Sequence, residues 1–528
     1  MGKPSSMANI SLFADNRMRV KSILMLPGWK ARDKHIAVFN FFLQKEVEDG
    51  TYFLVTEPDH DLYIVVGRTK TTIQLPPHGR GGMAFLAYLH SRYGLSETED
   101  VTKFIYNTLR LYIWDKGERV ELRRFSAYSK SAKAAYISTY DGELWKLTGQ
   151  SITRHGNGED GIFFADDDGA LACEADIQPH GELVHALTDL NYSALSPGGM
   201  TPLHQQRALT VWLLSLAFPD LMPTKPLLIV EGAQGSGKSS AMQQAQLALF
   251  GRKRPIVLSK NREDDFGIIL LRNPFAYFDN LDSFVDWLPD AICAYATSAE
   301  WTRRRLYTDS EQVTIRPHSF IAVASKNPAS FRREDTADRC IVLRLERRKK
   351  FTRQEKIEER ILQRRTQLFG EYLWYINEMV RVINTQRDED EDETSRMADF
   401  AFMARIVGQV MQWPEDEVED LLQALQKERN AFINEADPLM DILAKWIVYK
   451  PSGGRNSVGR EIDLNTLFTE LETVAQANSL TFYKNAGILM QKLRSPHLET
   501  DFRINVMNVD GHPTYKIWRQ KDGQLIAV

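Results

Sequence analysis

Residues 226–240 read Pro-Leu-Leu-Ile-Val-Glu-Gly-Ala-Gln-Gly-Ser-Gly-Lys-Ser-Ser, and their reading decides the fold. The apolar run Leu227 to Val230 suits a strand buried on both faces, and Ser240 to Phe250 suits a helix. Between them stand Gly232, Gly235 and Gly237, followed at once by Lys238 and Ser239. Glycines let successive backbone N–H groups turn inward around phosphate oxygens, and the N-terminus of the next helix adds a positive field. The segment Gly232, Ala233, Gln234, Gly235, Ser236, Gly237, Lys238, Ser239, Ser240 therefore reads as a phosphate-binding loop, or P-loop. Lys238 is expected to reach the β- and γ-phosphates of ATP, and the Ser239 hydroxyl to hold Mg²⁺. Gly and Lys are common enough for the bare pattern to arise by accident. The strand before it and the helix after it argue for nucleotide binding instead.

Composition bounds what this loop belongs to. A chain of 528 residues has room for about three or four domains. Hydrophobic residues at 43% and aromatics at 10% are enough to build packed cores. The formal net charge of −4 excludes a global field that would draw the molecule onto nucleic acid or membrane, so any nucleic-acid surface has to be local. Cys173, Cys293 and Cys340 are far apart and lack metal-ligand spacing. They read as small buried hydrophobes in a reducing compartment. No apolar run reaches spanning length and no signal peptide is visible, so a cytoplasmic setting without membrane contact is expected, in a bacterial cell or a phage-infected host.

Periodicity and composition divide the rest. Residues 1–20 read as a disordered or tag-like terminus. Residues 21–178 alternate short strands with helices, an α+β module. Residues 179–222 read as a helical linker or collar, with Pro202 opening a helix. Residues 223–347 form the α/β core and 348–435 a helical lid, interrupted by the acidic run Asp388 to Glu393, which reads as a solvated loop. Residues 436–528 have another pattern. Helices are expected over Leu439–Val448, Asn465–Ala477 and Asn485–Leu493. Two strands, Ile504–Val509 and Thr514–Trp518, then pair across Asp510-Gly511, a strong hairpin signal. Helices closed by a hairpin describe a winged helix.

A P-loop needs an acidic partner on a neighbouring strand. Phe275-Ala-Tyr-Phe278 is apolar and ends in Asp279, which suits the acid that holds Mg²⁺. The gap from Lys238 leaves room for one helix and one further strand, Pro255–Leu258. A third apolar strand, Phe320 to Ala324, runs into Ser325-Lys326-Asn327, and an Asn at such a tip can orient the attacking water. Ala337-Asp338-Arg339 then precedes the strand Cys340–Leu345. An Arg there can project into a neighbouring subunit as an arginine finger; its bland alternative is a surface salt bridge to Asp335 or Asp338.

This succession resembles the AAA+ class, and within it the superfamily 3 helicases and related ATPases of phages and bacterial mobile elements. The stretches Asp279-Asn-Leu-Asp-Ser, Trp287-Leu-Pro-Asp-Ala-Ile-Cys, Arg305-Leu-Tyr-Thr-Asp309 and Arg396-Met-Ala-Asp-Phe400 carry the resemblance, with the terminal winged helix. It is strongest over about 225–345 and weaker over about 130–528. It implies an AAA+ core in which Lys238, Ser239, Asp279 and Asn327 take the motor roles and Arg339 is a finger acting in trans. It further implies a homo-oligomer, expected as a hexamer, working on single-stranded or forked DNA. One departure stands out. Many AAA+ proteins place a catalytic Glu beside the metal-holding Asp, whereas Phe278 and Asn280 flank Asp279 here, and Asp282 is the nearest candidate base. A general base contributes roughly 10²–10⁴-fold, so its loss leaves a weak ATPase rather than none.

Candidate DNA contacts lie in two places. Arg303–Thr308 and Gln312–Arg316 can pair as a hairpin where superfamily 3 helicases line their central channel. Arg303, Arg305 and Arg316 with Tyr307 suit backbone tracking, although Asp309 and Glu311 at the tip repel phosphate. In the winged helix, Lys492 and Arg494 flank the expected recognition helix, which admits duplex contact. The run Arg347 to Lys350 reads as a solvated linker. Two functions fit: an oligomeric ATP-driven helicase or translocase in mobile-element replication, or a nucleotide-dependent switch or remodeller that does not unwind. The missing adjacent Glu favours the second; the hairpin and winged helix favour the first. A primase role for the N-terminal module lacks a clustered acidic motif or zinc-ligand set to support it.

Overall fold

Leu227–Gly232 forms one strand of a five-stranded, all-parallel sheet in the computed structural model. The structure describes the chain except residues 1–5, 58, 77–81, 167–168, 259–262, 297–300, 305–311, 316–317, 387–396, 436–437, 449–458, 479, 481, 495–497, 499–501, 510–511, 522–523 and 526–528. The lateral order is Pro255–Ile256, Phe275–Asp279, Phe320–Ser325, Leu227–Gly232, Cys340–Leu345. Asp279 was expected on the strand next to the P-loop strand; the Phe320–Ser325 strand stands between them instead. Apolar runs mark strands, but parallel strands joined by crossovers leave their lateral order open. The result puts Asn327, not Asp279, beside the P-loop strand.

The sheet is buried on both faces, which is why its strands are continuously apolar rather than alternating. Leu227 and Ile229 pack with Phe266 and Leu270 of the helix Glu263–Arg272 and with Ile292 of the helix Leu288–Ala296. Leu228 and Val230 face the other way, onto Ala241 and Ala245 of the P-loop helix Lys238–Phe250 and onto Trp212 of the helix Pro202–Ser215. Pro202 does open that helix, behind a Thr201 cap whose hydroxyl accepts from the His204 amide at 3.2 Å. The lid helices Gln354–Gln363, Arg365–Thr385, Ala398–Val410 and Glu415–Asn434 join the same layer. The acidic run Asp388 to Glu393 lies outside the described residues.

Two expectations about the N-terminal part change. Residues 6–24 are a helix rather than a loose terminus, with Val20 buried against Val38, Phe42 and Leu89. Its apolar residues are spread around the helix rather than gathered on one face, so periodicity gives it no apolar stripe to be read by. The division at 178 is also no division in packing. Strands Ser126–Ser129, Ala134–Ser138, Glu143–Leu147 and Ile152–Gly156 form a sheet in the same core as the P-loop helix and lid. The Ser126 hydroxyl donates to the Leu216 carbonyl at 2.7 Å, the Gly149 amide donates to Asn377 at 2.9 Å, and the rings of Phe125 and Phe250 lie 5.1 Å apart. A separate core begins upstream, where the strands Tyr52–Thr56, Leu62–Val65, Thr72–Gln74 and Glu118–Val120 carry the helices Ala31–Glu48, Met83–Tyr93 and Asp100–Lys116.

At the other end, helices Pro438–Val448, Leu464–Ala477 and Ala486–Lys492 pack on the antiparallel pair Phe502–Val509 and His512–Lys521, to which Ile462–Asp463 adds a short strand. The pairing ends at Val509 opposite His512; Asp510-Gly511, where the turn was expected, lies outside the described residues. Among the described residues, no helix is long and apolar enough to cross a membrane.

Candidate nucleotide site

The site gathers at the C-terminal ends of three adjacent strands. Gly235 and Gly237 sit at φ +81° and +91°, backbone that non-glycine residues rarely adopt, and the P-loop helix starts directly after them. Lys238 Nζ folds onto the loop itself, donating to the Gly232 carbonyl at 2.6 Å and the Ala233 carbonyl at 3.0 Å. Burial lowers its pKa, while the nearby carboxylates of Asp282, Asp279 and Glu231 pull it back up. Among the described residues the cation has no carboxylate bonded to it and holds neutral partners, two carbonyls and, at 3.5 Å, the Ser236 hydroxyl, which it can exchange for phosphate. The Ser239 hydroxyl donates to Asp279 Oδ1 at 2.9 Å, bringing together the two oxygens expected to hold Mg²⁺. The open loop, the exchangeable lysine and this oxygen pair fit a magnesium nucleotide. Tyr277 stands on the same strand as Asp279; burial pushes its phenol well above the ordinary tyrosine range, so it stays protonated.

Asn327 is exposed at the tip of the intervening strand, with its amide directed at the Ser325 hydroxyl at 3.1 Å and at Asp282 Oδ1 at 3.4 Å. Asp282 is occupied: its Oδ1 accepts from the Ser325 hydroxyl at 2.8 Å and the Lys326 amide at 2.7 Å. Burial raises its pKa, but these hydrogen bonds outweigh it and hold the carboxyl below the ordinary range. It fixes the turn that carries Asn327. Asn280, where a catalytic Glu was absent, sits at φ +59° and its amide donates to the Ala324 carbonyl at 3.0 Å. Asn tolerates this left-handed backbone better than Glu does.

Arg339 lies elsewhere. It precedes Cys340, which pairs with Leu227 at the opposite end of the sheet from Gly232, about 17 Å along the strand. Its guanidinium donates to the Asp335 carbonyl and lies 3.4 Å from Cys293 Sγ. The salt bridge foreseen as its alternative is made by another residue, Arg429, which pairs with Asp338 at 3.4 Å.

Sequence reading missed a buried ionic network behind the loop. Glu231, the residue before Gly232, pairs with Arg344 at 2.5 Å and Arg332 at 3.0 Å. Arg344 also reaches Glu428 at 2.8 Å and Glu435 at 3.1 Å, and both guanidiniums lie over the Phe432 ring. Burial raises the Glu231 pKa against the pull of Arg344 and Arg332. The network ties the base of the P-loop to the last lid helix. Its members are spread over 231–435, and only the exception of charges inside apolar segments could have flagged them.

The expected hairpin forms with earlier bounds, Trp301–Arg304 paired antiparallel with Gln312–Ile315, and Arg303 opposite Val313. Arg305, Tyr307 and Arg316 lie outside the described residues. Arg494 is exposed after the helix Ala486–Lys492, whereas Lys492 lines a cleft of about 880 Å³ shared with Asp290, Arg333 and Tyr483.

Residues 203–412 match a family described as actinomycete integrative conjugative element replication protein. The match covers the helix before the P-loop, the core and the first lid helices, less than half of the chain. Among solved structures, the apo C-terminal region of NrS-1 is 12% identical with a TM-score of 0.42, over 91% of this chain and 97% of that one. JCV helicase with a bound thiazolopyridine acetamide is 13% identical with a TM-score of 0.22, over 43% of this chain and 67% of that one. Both scores lie below 0.5 and establish no shared fold. No curated protein matches the sequence.

Proposed function

We propose that this chain is an ATP-hydrolysing AAA+ motor of superfamily 3 type, a DNA helicase or translocase that acts as a ring, expected as a hexamer, in mobile-element replication. The observation that carries it is the Ser239–Asp279 pair at the mouth of a loop whose lysine is held by neutral groups of that loop. In this reading Lys238 binds the terminal phosphates and Ser239 with Asp279 holds Mg²⁺, which supplies charge neutralisation on the phosphates. Asn327 orients the attacking water, fixed in place by the Asp282-bonded turn. Arg339, at the far end of the sheet, serves the site of a neighbouring subunit. The hairpin bearing Arg303 tracks single-stranded or forked DNA, and the C-terminal unit acts as a winged helix touching duplex through Arg494. The family match over 203–412 supports the replication setting.

The switch or remodeller reading keeps one specific support: Asn280 follows Asp279, and Asp282, the nearest candidate base, is held by the turn rather than free to activate water. Strand displacement on a forked DNA substrate, with and without ATP, separates the two. ATP-dependent displacement supports the motor; ATP binding and turnover without displacement supports the switch.

A further inference from the structure

Residues 346–353, which include the run Arg347 to Lys350 expected as a solvated linker, are laid across the P-loop. The Glu346 amide donates to the Asn191 carbonyl at 2.8 Å, and Asn191 Nδ2 donates back to the Glu346 carbonyl at 2.9 Å. The Arg348 amide donates to the Gly235 carbonyl at 3.2 Å. Past the far end, the Ser240 hydroxyl donates to Gln354 Oε1 at 2.8 Å. The segment is thus tied before, on and after the loop.

Its side chains lie close over the two glycines of the loop. A Cβ built on Gly237 would lie 2.8 Å from Arg348 Nε and 3.0 Å from its Nη2. One built on Gly235 would lie 3.1 Å from the Phe351 ring. Arg332, Arg344, Arg353 and Arg364 each pair with a carboxylate; Arg348 has none among the described residues. Phe351 is 65% exposed, an apolar ring standing in water beside a polar loop. A guanidinium without a counterion, set against backbone shaped for phosphate, is matched by a phosphate, to which its fork of donors can bond twice. An open aromatic face next to it is matched by a nucleobase, which stacks without any edge being read.

On the reading that the P-loop binds a nucleoside triphosphate, we propose that residues 346–353 are a nucleotide strap in which Arg348 is a second phosphate-binding cation from the same subunit and Phe351 is the platform for the base. Lys238 and Arg348 then hold the phosphates between them, and the ring fixes the other end of the same ligand. Because Phe351 offers no hydrogen bond, it adds affinity for any base rather than discrimination among bases.

The test titrates the full chain, with Mg²⁺, with ATP and with inorganic tripolyphosphate, which has the phosphates but no base. Phe351→Ala should weaken ATP binding about tenfold and leave tripolyphosphate unchanged, and Phe351→Trp should keep ATP affinity. Arg348→Ala should weaken both ligands about tenfold, with partial recovery in Arg348→Lys. Neither residue is buried, so thermal unfolding should be unchanged and any loss is a ligand effect. Lys238→Ala runs alongside. If it abolishes ATP binding while Arg348→Ala and Phe351→Ala bind as the parent does, the strap is wrong and the P-loop reading stands. If Lys238→Ala itself binds ATP normally, the P-loop reading fails and takes the strap with it. Equal loss of ATP and tripolyphosphate in Phe351→Ala overturns the base platform.

Discussion

Lys238 and Arg344 are both cations near the same end of the central sheet, and the fold treats them in opposite ways. Arg344 is buried and saturated: three carboxylates, Glu231, Glu428 and Glu435, lie within 3.1 Å of it, and Phe432 covers its face. Lys238 is half-buried, its bonded partners being carbonyls of its own loop and, at 3.5 Å, the Ser236 hydroxyl. A saturated charge has nothing left to offer a ligand and serves to hold segments together. A charge resting on neutral partners is ready to exchange them. Lys225 is a third case: it is buried, its ammonium donates to the Met222 carbonyl at 2.8 Å, and burial brings its pKa down to about 8. It faces no open loop, so it carries the cost of burial without a ligand to offset it.

The contrast can be broken by substitution. The largest effect is expected at Arg339, which lies too far along the sheet to serve its own loop. Arg339→Ala should keep ATP affinity and lose about 10³-fold or more in turnover, measured by phosphate release. Mixing it with Lys238→Ala should restore part of the activity at hybrid interfaces. A variant that loses no turnover would make Arg339 a structural residue of the Asp335–Cys293 contact.

Next comes the saturated network. Glu428→Ala leaves Arg344 with an incomplete set of carboxylates in a buried place. It should lower stability by about 3–5 kcal/mol, seen as a clear fall in melting temperature. A neutral result would mean that the network is as replaceable as a surface ion pair.

The smallest effect is expected at Lys225, and it has the opposite sign. With a folded pKa of about 8 against an unfolded value near 10.4, the folded state disfavours the charged form. Below pH 8 both states are charged and the penalty is present in full; between pH 8 and about 10.4 the folded state sheds its proton first and the penalty disappears. Lys225→Met should therefore stabilise the protein at pH 7 by up to about 3 kcal/mol, with the gain shrinking as pH rises towards 10. Thermal melts of both proteins across that range decide it. A gain that does not shrink would assign it to packing instead.

What the sequence made legible follows the same line between local and distant. The P-loop, the helix after it and the strand ending in Asp279 were readable because one contiguous stretch carries all the periodicity and turn chemistry they need. The position of Asn327 in an apolar strand tip was readable too, but not that its strand separates Asp279 from the P-loop, since lateral order in a parallel sheet leaves no trace in the strands themselves. The helix at residues 6–24 escaped because its apolar residues do not gather on one face; Val20 is one of its buried anchors. The Glu231–Arg344–Glu428 network and the placement of Arg348 over Gly237 escaped because their partners meet only in space. The run Arg347 to Lys350 looks solvated by composition, and Arg347, Lys349 and Lys350 are indeed exposed; what composition does not show is the backbone bond that ties Arg348 to Gly235.

The central claim is that Lys238 is a ligand-exchanging cation rather than a structural one, and one comparison tests it most directly. ATP binding and hydrolysis are measured for the parent and for Lys238→Ala at equal concentration with Mg²⁺, with thermal melts in parallel. The account predicts that Lys238→Ala melts as the parent does, loses hydrolysis altogether and binds ATP far more weakly. Unchanged ATP turnover in Lys238→Ala, or a collapse of stability with turnover lost only through unfolding, would contradict it.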